Sequence, residues 1–574
     1  MAAESFNECR SVLAVDLGSL NTRAFLFDQV EGHYRFIGST RLPAIRSISG
    51  HTVKDDVVQV VRRLQETVKY KLLDGDRIIC PAKFDGSGVD QFILTHSLGD
   101  PIKTVILGGM KSVSVVSGIE LAGTAPLQIV DTVDMMDPRS PSEQLDAFVE
   151  NKPELVIIAG GTEEGATKLV ARQADIVSWL MQLLPAHLRP KVFFTGNEAM
   201  QHYVADILAR WTSVESGSNV RPTVVESDLT RSMARLAETV SKIRMSQFDG
   251  LDAIASQSAS VPLPNSFTFG RFIRFLNQVN PGAQSFLGVN IGSQFTTVCS
   301  ADGDQFHQRV LPFAAGKGIE SLMEKVKPGR LDNWLAGTIP LETVRDYLWQ
   351  KSIHPAVLPA SADSALIEDA LLRVLLRQAM VEFYHQFPQT ELGHDTILVT
   401  GLPFSQYSNR DALSLVLDGM QPSGVTSIVL DQYEIAPILG QAATVNKFLP
   451  VHMIESNAFV NLGTVIAPIS SARVGSPLIR LKLQYEDGEQ AQLEILQGTL
   501  TQLPVQPGQM VQLNLSPIRP FMLDRTHQQS ARNFMVVGGA CGVVIDTRGR
   551  PIQLAADEGM RRAQLSSWKM ALAG

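Results

Sequence analysis

Short runs of β-branched and apolar residues alternate with longer helical patterns from about residue 12 to residue 443. That rhythm belongs to α/β layers in which helices cover sheets. Buried strands are predicted at 11–15, 104–107, 154–159, 191–195, 286–290 and 396–400, and most of them end in glycine or a small polar residue. Ligands of such folds collect beyond the carboxyl ends of the strands, so those ends are where chemistry is expected. Between strands, residues 167–184 place Val170, Ala174, Val177 and Leu180 at three- and four-residue steps. Residues 367–387 do the same with Leu371, Val374, Leu375 and Met380. Both spacings predict amphipathic helices lying against sheets. A looser stretch rich in Ser, Pro and Ala, 256–265, reads as a connection between a first α/β region and a second one starting near residue 285.

The pattern changes near the carboxyl end. Ile479, Leu481, Leu483 and Tyr485 alternate with polar residues up to Asp487-Gly488, and Ala491, Leu493 and Ile495 alternate beyond it. This period of two around a turn predicts a hairpin. Further strand signals at 510–515 and 534–545, and a short helix at 558–572, complete a β-rich region over 471–574.

Composition narrows the possible functions. At 574 residues the chain is longer than one core usually organises, so three or four domains or subdomains are expected. With a net charge of -8 and no dense Lys/Arg run with interleaved aromatics, the footprint of a nucleic-acid binder is missing. The four cysteines, Cys9, Cys80, Cys299 and Cys541, are too scattered for a disulfide framework or a paired-ligand zinc site. The first residues lack signal-peptide character and no apolar run reaches the roughly 18 residues of a membrane span, so a soluble, cytoplasmic protein is expected.

Two segments carry the candidate chemistry. In residues 12–27 an apolar strand delivers Asp16 into the turn Gly18-Ser19, and a second strand leaves through Thr22. Turn N–H groups and the hydroxyls of Ser19 and Thr22 can then face an anion while Asp16 holds a metal-bound water. The same residues also suit an ordinary hairpin with an exposed polar turn. The arrangement returns 290 − 16 = 274 residues later, where Asn290 precedes Gly292-Ser293 and Thr296 opens the exit strand. Two such hairpins a domain's length apart suggest duplicated lobes clasping one nucleotide. A third segment, Gly160-Gly161-Thr162-Glu163-Glu164, follows a buried strand. Its glycines permit close backbone approach and its acids could orient a metal or water. It equally suits a strand-to-helix junction capped by Thr162. Gly538-Gly539-Ala540-Cys541-Gly542 reads as a structural turn, and His394 as a loop residue rather than a base.

Paired hairpins of this kind resemble the phosphate loops of the actin, sugar-kinase and heat-shock-chaperone superfamily. The run Ile397-Leu398-Val399-Thr400-Gly401 stands where its adenosine motif falls, reduced to the single Gly401. Residues 155–165, with Thr195-Gly196-Asn197, Asn219-Val220-Arg221-Pro222 and the segment 430–440, are similar to the MutL-like (GlmL) family associated with glutamate mutase. The resemblance implies an α/β chain of two ribonuclease-H-like lobes in the actin-like ATPase fold, at 11–275 and 285–470, followed by the all-β domain at 471–574. It also implies ATP with Mg2+ as ligands, Asp16 as the metal-facing acid, Asp16, Glu163 and Glu164 as the candidate catalytic acids, and a protein partner such as a cobalamin-dependent mutase. No Asp-x-His-x-x-Gly segment that could itself hold cobalamin is present. Asn290 and Thr297 replace the two acids of the family's second loop. An amide supplies no carboxylate base and no charge for a divalent ion, so binding is expected to survive the change better than turnover. A non-hydrolysing scaffold is the alternative expectation.

Overall fold

The run Ser11–Leu17 is buried at every position, which makes it a central strand rather than an edge. In the computed structural model, which describes residues 9–44, 50–163, 165, 167–280, 284–326, 329–523 and 533–572, this strand pairs parallel with Gln91–His96 and antiparallel with Asn21–Val30. The full sheet runs in the order Leu263–Pro264, Gln91–His96, Ser11–Leu17, Asn21–Val30 and His33–Pro43. Helix Val53–Val68 packs on it through Val57, Val61 and Leu64. Thr52 and Asp55 start that helix with reciprocal side-chain-to-backbone bonds, satisfying donors that the first turn leaves orphaned.

A second sheet is parallel throughout, in the order Val214–Ser216, Lys191–Phe194, Leu155–Ala159, Ile102–Gly108 and Leu127–Val133. Its central strands are continuous apolar runs, as burial on both faces requires. Helix Thr167–Leu183 covers it with Val170, Ala174, Val177 and Leu180, the residues its spacing marked. Both sheets belong to one compact unit, Met1–Phe272 with Gln308–Val310 and Pro437–His452. Helix Thr230–Gln247 joins them: Ser241 bonds His96 at the end of one sheet's strand, and Ser232 bonds the Ser218 carbonyl beside Thr195 at the end of the other's.

The other unit comprises Ile273–His307, Leu311–Ala436 and Met453–Gly574. Its eight-stranded sheet runs Gln305–Leu311, Thr296–Asp302, Phe286–Ile291, Thr396–Thr400, Gly424–Asp431, Val460–Ala467, Val543–Asp546 and Leu500–Leu503. Helix Ala362–Gln386 buries Leu371, Leu375 and Met380 in the hydrophobic core of this unit. A separate four-stranded antiparallel sheet, Gln490–Leu496, Pro477–Tyr485, Met510–Pro517 and Asn533–Val537, contains the expected hairpin, with Ile479, Leu481 and Leu483 buried in alternation.

Two readings change here. Leu263–Pro264 forms a strand of the first sheet and Asn265 opens a helix, so the Ser/Pro/Ala stretch 256–265 ends inside an element rather than in a linker. The region 471–574 is not β-sheet apart from the preceding fold, because Leu500–Leu503 and Val543–Asp546 extend the eight-stranded sheet. A buried ion network fixes that attachment. Arg548 bridges Asp546 at 2.9 Å and Asp418 at 2.7 Å, and Arg373 reaches Asp418 at 2.8 Å. Together the charges satisfy one another out of water, the condition under which buried ions are tolerated.

Candidate functional site

The first hairpin closes through a bond from the Gly18 N–H to the Asn21 carbonyl at 2.9 Å. A Cβ on Gly18 would lie 2.6 Å from that same oxygen, so the turn demands glycine. Asp16 sits two residues before it, 1% exposed. It accepts from Arg23 Nε at 3.1 Å and Arg23 Nη2 at 2.5 Å through one oxygen. Through the other it accepts from Thr95 Oγ1 at 3.1 Å and Asn265 Nδ2 at 2.6 Å. Four donors fill the roughly four acceptor positions of a carboxylate. Beside this cluster the Thr22 hydroxyl is buried with no hydrogen-bond partner, and so is Asn265 Oδ1. His96, next to Thr95, is buried and bonds Ser241 Oγ at 3.0 Å; burial, with the Arg244 guanidinium, pushes its imidazole down to about 3.

The second hairpin repeats the backbone. Gly292 N–H donates to the Phe295 carbonyl at 2.9 Å, and Asn290 pairs with Thr400 of the adjacent parallel strand as Asp16 pairs with Thr95. Across the hairpin Asn290 faces Thr297, where Asp16 faces Arg23. Gly401 has φ +117°, and a Cβ there would stand 2.1 Å from the Ile291 carbonyl oxygen, so the expected adenosine-motif glycine lies directly against this hairpin. Thr296, by contrast, is turned inward and donates to the Phe313 carbonyl at 2.8 Å, which leaves Ser293 as the hydroxyl at the turn. The Lys317 N–H reaches Ser293 Oγ at 3.4 Å and the Gly318 N–H reaches the Ser293 carbonyl at 3.1 Å. Below them Thr400 Oγ1 donates to Asp431 at 2.9 Å. Asp431 also accepts the N–H groups of Ile435 and Ala436; its burial outweighs these bonds and raises its carboxyl to about 6.

The third segment forms a separate cluster at the end of the parallel sheet. Asn197 N–H bonds the Gly160 carbonyl at 2.9 Å, and Asn219 Nδ2 bonds both the Gly161 carbonyl at 2.9 Å and Glu163 Oε1 at 2.7 Å. The other Glu163 oxygen accepts the Glu198 N–H at 3.2 Å. Glu163 therefore ties three loops together, whereas Glu164 lies outside the described residues. Helix Thr167–Leu183 begins too late for Thr162 to be its cap; the Thr162 carbonyl instead accepts the Gly165 N–H at 3.0 Å.

Among the described residues no group of three or more His, Cys, Asp or Glu could hold an ion, and Asp16 has each oxygen engaged, one of them by a guanidinium. Ligation of Mg2+ by Asp16 would need Arg23 displaced, since Mg2+ takes carboxylate oxygens in near-ideal octahedra. Sequence reasoning missed Thr95, His96 and Asn265, which arrive from a strand and a helix start far along the chain. The polar pair Thr95-His96 ending the apolar run Phe92-Ile93-Leu94 was the available signal. Gly316-Lys317-Gly318, packed on the second turn, carried no pattern that marked it.

A mixed α/β protein in which two antiparallel hairpins close the same glycine turn beside a parallel strand is the class defined by this geometry. The chain belongs to the MutL protein family, whose model matches residues 12–456, the family that the glycine motifs resemble. No curated protein matches the chain. Among solved structures it is similar to nucleotide-free acetone carboxylase, with a TM-score of 0.34 and 10% identity over 86% of this chain and 81% of that one. It is also similar to the activator of the 2-hydroxyisocaproyl-CoA dehydratase from Clostridium difficile with bound ADPNP, at TM-score 0.27 and 8% identity over 78% and 98%. Glycerol kinase from Plasmodium falciparum with ADP gives 0.30 and 9% over 77% and 90%. At those scores the likenesses carry no conclusion about chemistry. Among the described residues, no helix is long and apolar enough to cross a membrane.

Proposed function

We propose that this MutL-family chain is an ATP-binding accessory factor that acts on a partner protein and turns ATP over slowly or not at all. The observation that carries the reading is the repeated turn, Gly18 to Asn21 and Gly292 to Phe295, each closed at 2.9 Å beside a parallel strand. Each turn is a phosphate half-site in which backbone N–H groups and the hydroxyls of Ser19 and Ser293 meet anionic oxygens. Gly401, pressed on the second hairpin, is the position for the adenosine end. Any Mg2+ is brought by the nucleotide's own phosphates. The carboxylates that would activate water are missing or committed: Asn290 is an amide, Asp16 is saturated by four donors, and Glu163 holds loops together. Binding energy is then available to drive a change of state felt by a protein partner, for which the family resemblance suggests a cobalamin-dependent mutase.

The same saturation of Asp16 favours a second reading, a scaffold that binds nucleotide without ever releasing phosphate. Titrating the full chain with ATP and magnesium while following thermal stability and phosphate release separates the two. A large stabilisation with slow release is expected and excludes the scaffold; stabilisation without any release favours the scaffold, and no stabilisation at all overturns both.

A further inference from the structure

The parallel strands Thr396–Thr400 and Gly424–Asp431 carry Gly401 and Asp431 at their carboxyl ends. Their amino ends open onto something else, a cavity of about 310 Å³ within the same unit, lined among others by Arg377, Tyr384, His394, Met420, Pro422 and Arg550. That volume is at the lower bound of small-molecule sites and equals the share of roughly ten water molecules.

Three features of the lining point to an anion. His394 is only 8% exposed, neither ring nitrogen makes a hydrogen bond of ordinary geometry, and burial pushes its imidazole down to about 4, against the pull of Asp395 and the Thr390 backbone, so the ring is neutral with an N–H left to donate. A buried polar group without a partner is costly and is rarely left so without a reason. Arg550 is held rigidly, giving Nε to the Pro422 carbonyl at 2.7 Å, Nη1 to the Gly549 carbonyl at 2.9 Å and Nη2 to Asp546 at 3.0 Å. Those bonds use three of the five N–H donors of a guanidinium. Arg377, half-buried on the helix Ala362–Gln386, has its basicity lowered chiefly by burial and also by Arg330 and Arg550, against the pull of Tyr384 and Glu391. An anion placed between these groups would relieve both burdens. Ile397, Met420 and Pro551 supply the apolar part of the wall.

We propose that this cavity binds a small organic oxyanion, a carboxylate or phosphate monoester on a short apolar stem, with Arg377 and Arg550 on the charged head and His394 as an additional hydrogen-bond donor. It is a site for a second ligand, set at the opposite ends of the strands from Gly401, and its existence does not depend on ATP binding.

Calorimetry on the full chain tests it with two probes, butyrate and phenyl phosphate, each titrated alone and again with saturating ATP. Saturable binding with a Kd on the order of 0.1–1 mM is expected for at least one probe. Butyrate alone identifies a carboxylate site, and phenyl phosphate alone a phosphate-monoester site. ATP should displace neither. Arg377→Gln should weaken the binding at least about tenfold, since a bidentate guanidinium contact is lost. His394→Phe, which fills the cavity, should abolish it; should that variant not fold, Arg377→Gln decides. Absence of saturation by both probes, displacement by ATP, or undiminished affinity in Arg377→Gln overturns the proposal.

Discussion

The two hairpins have the same backbone and opposite electrostatics. In the first, a buried carboxylate is wrapped by a guanidinium, a hydroxyl and an amide drawn from three parts of the chain. In the second, the equivalent position is the neutral Asn290, its cross-strand partner is Thr297 rather than an arginine, and Asp431, one strand beyond Thr400, is spent on backbone N–H groups and Thr400. A turn that binds phosphate through N–H groups needs neither charge. Repetition of the turn with different charges around it accords with the proposed role of holding nucleotide rather than cleaving it.

The largest effect should come from breaking the charged cluster. Arg23→Ala leaves Asp16 buried without its cation, and urea unfolding should show a loss of about 3–5 kcal/mol. Thr297→Ala, the counterpart in the second hairpin, should cost about 1 kcal/mol. Equal losses would mean that the hairpins do not differ in the way their charges suggest. Next come the turns themselves: Gly18→Ala meets the Asn21 oxygen at 2.6 Å and Gly292→Ala meets the Phe295 oxygen at 3.0 Å. Losses of about 2–3 and about 1 kcal/mol are expected in that order.

Acidification separates the regions by sign. His96 has a folded pKa of about 3, below its unfolded value, so its contribution is complete above the ordinary histidine range and is lost as the pH falls. Between pH 7 and pH 5 that loss is about 2 kcal/mol, and His96→Asn should flatten it. Asp431, raised to about 6, binds its proton more readily folded than unfolded, so over the same interval it adds about 1 kcal/mol. Unfolding free energies of His96→Asn and Asp431→Asn at the two pH values should therefore diverge in opposite directions from the parent. The last change expected is catalytic. Asn290→Asp returns an acid to the second hairpin and should raise phosphate release about tenfold, equivalent to about 1.4 kcal/mol; an unchanged rate would show that Asn290 is not what limits turnover.

Much of this arrangement was legible in the sequence because it is local. The apolar strands, both glycine turns and the helices Thr167–Leu183 and Glu558–Ala571 follow from periods of two and 3.6 within short windows. The surroundings of Asp16 were not legible, because Asn265 lies 249 residues away and entered the site only once Leu263–Pro264 paired beside Thr95. The attachment of Val543–Asp546 to the eight-stranded sheet escaped for the same reason: the strand signal is plain, but its partner, Val460–Ala467, is set by long-range packing and by the Arg548 network. At one position the element was legible and its burial was not: His394 does lie in the loop before Thr396–Thr400. His394, read as a loop residue, is enclosed, and no periodicity distinguishes an enclosed loop from an exposed one.

The central claim is that the Gly18 turn and the Gly292 turn are each built to bind phosphate, and the direct measurement is the ATP affinity of two full-length variants, Ser19→Asp and Ser293→Asp, beside the parent. Each places a negative charge on one turn and leaves the other untouched. The account predicts saturable ATP binding in the parent and affinity at least about tenfold weaker in each variant, as like charges near phosphate demand. Parent-like affinity in either variant, with the fold intact, would contradict it.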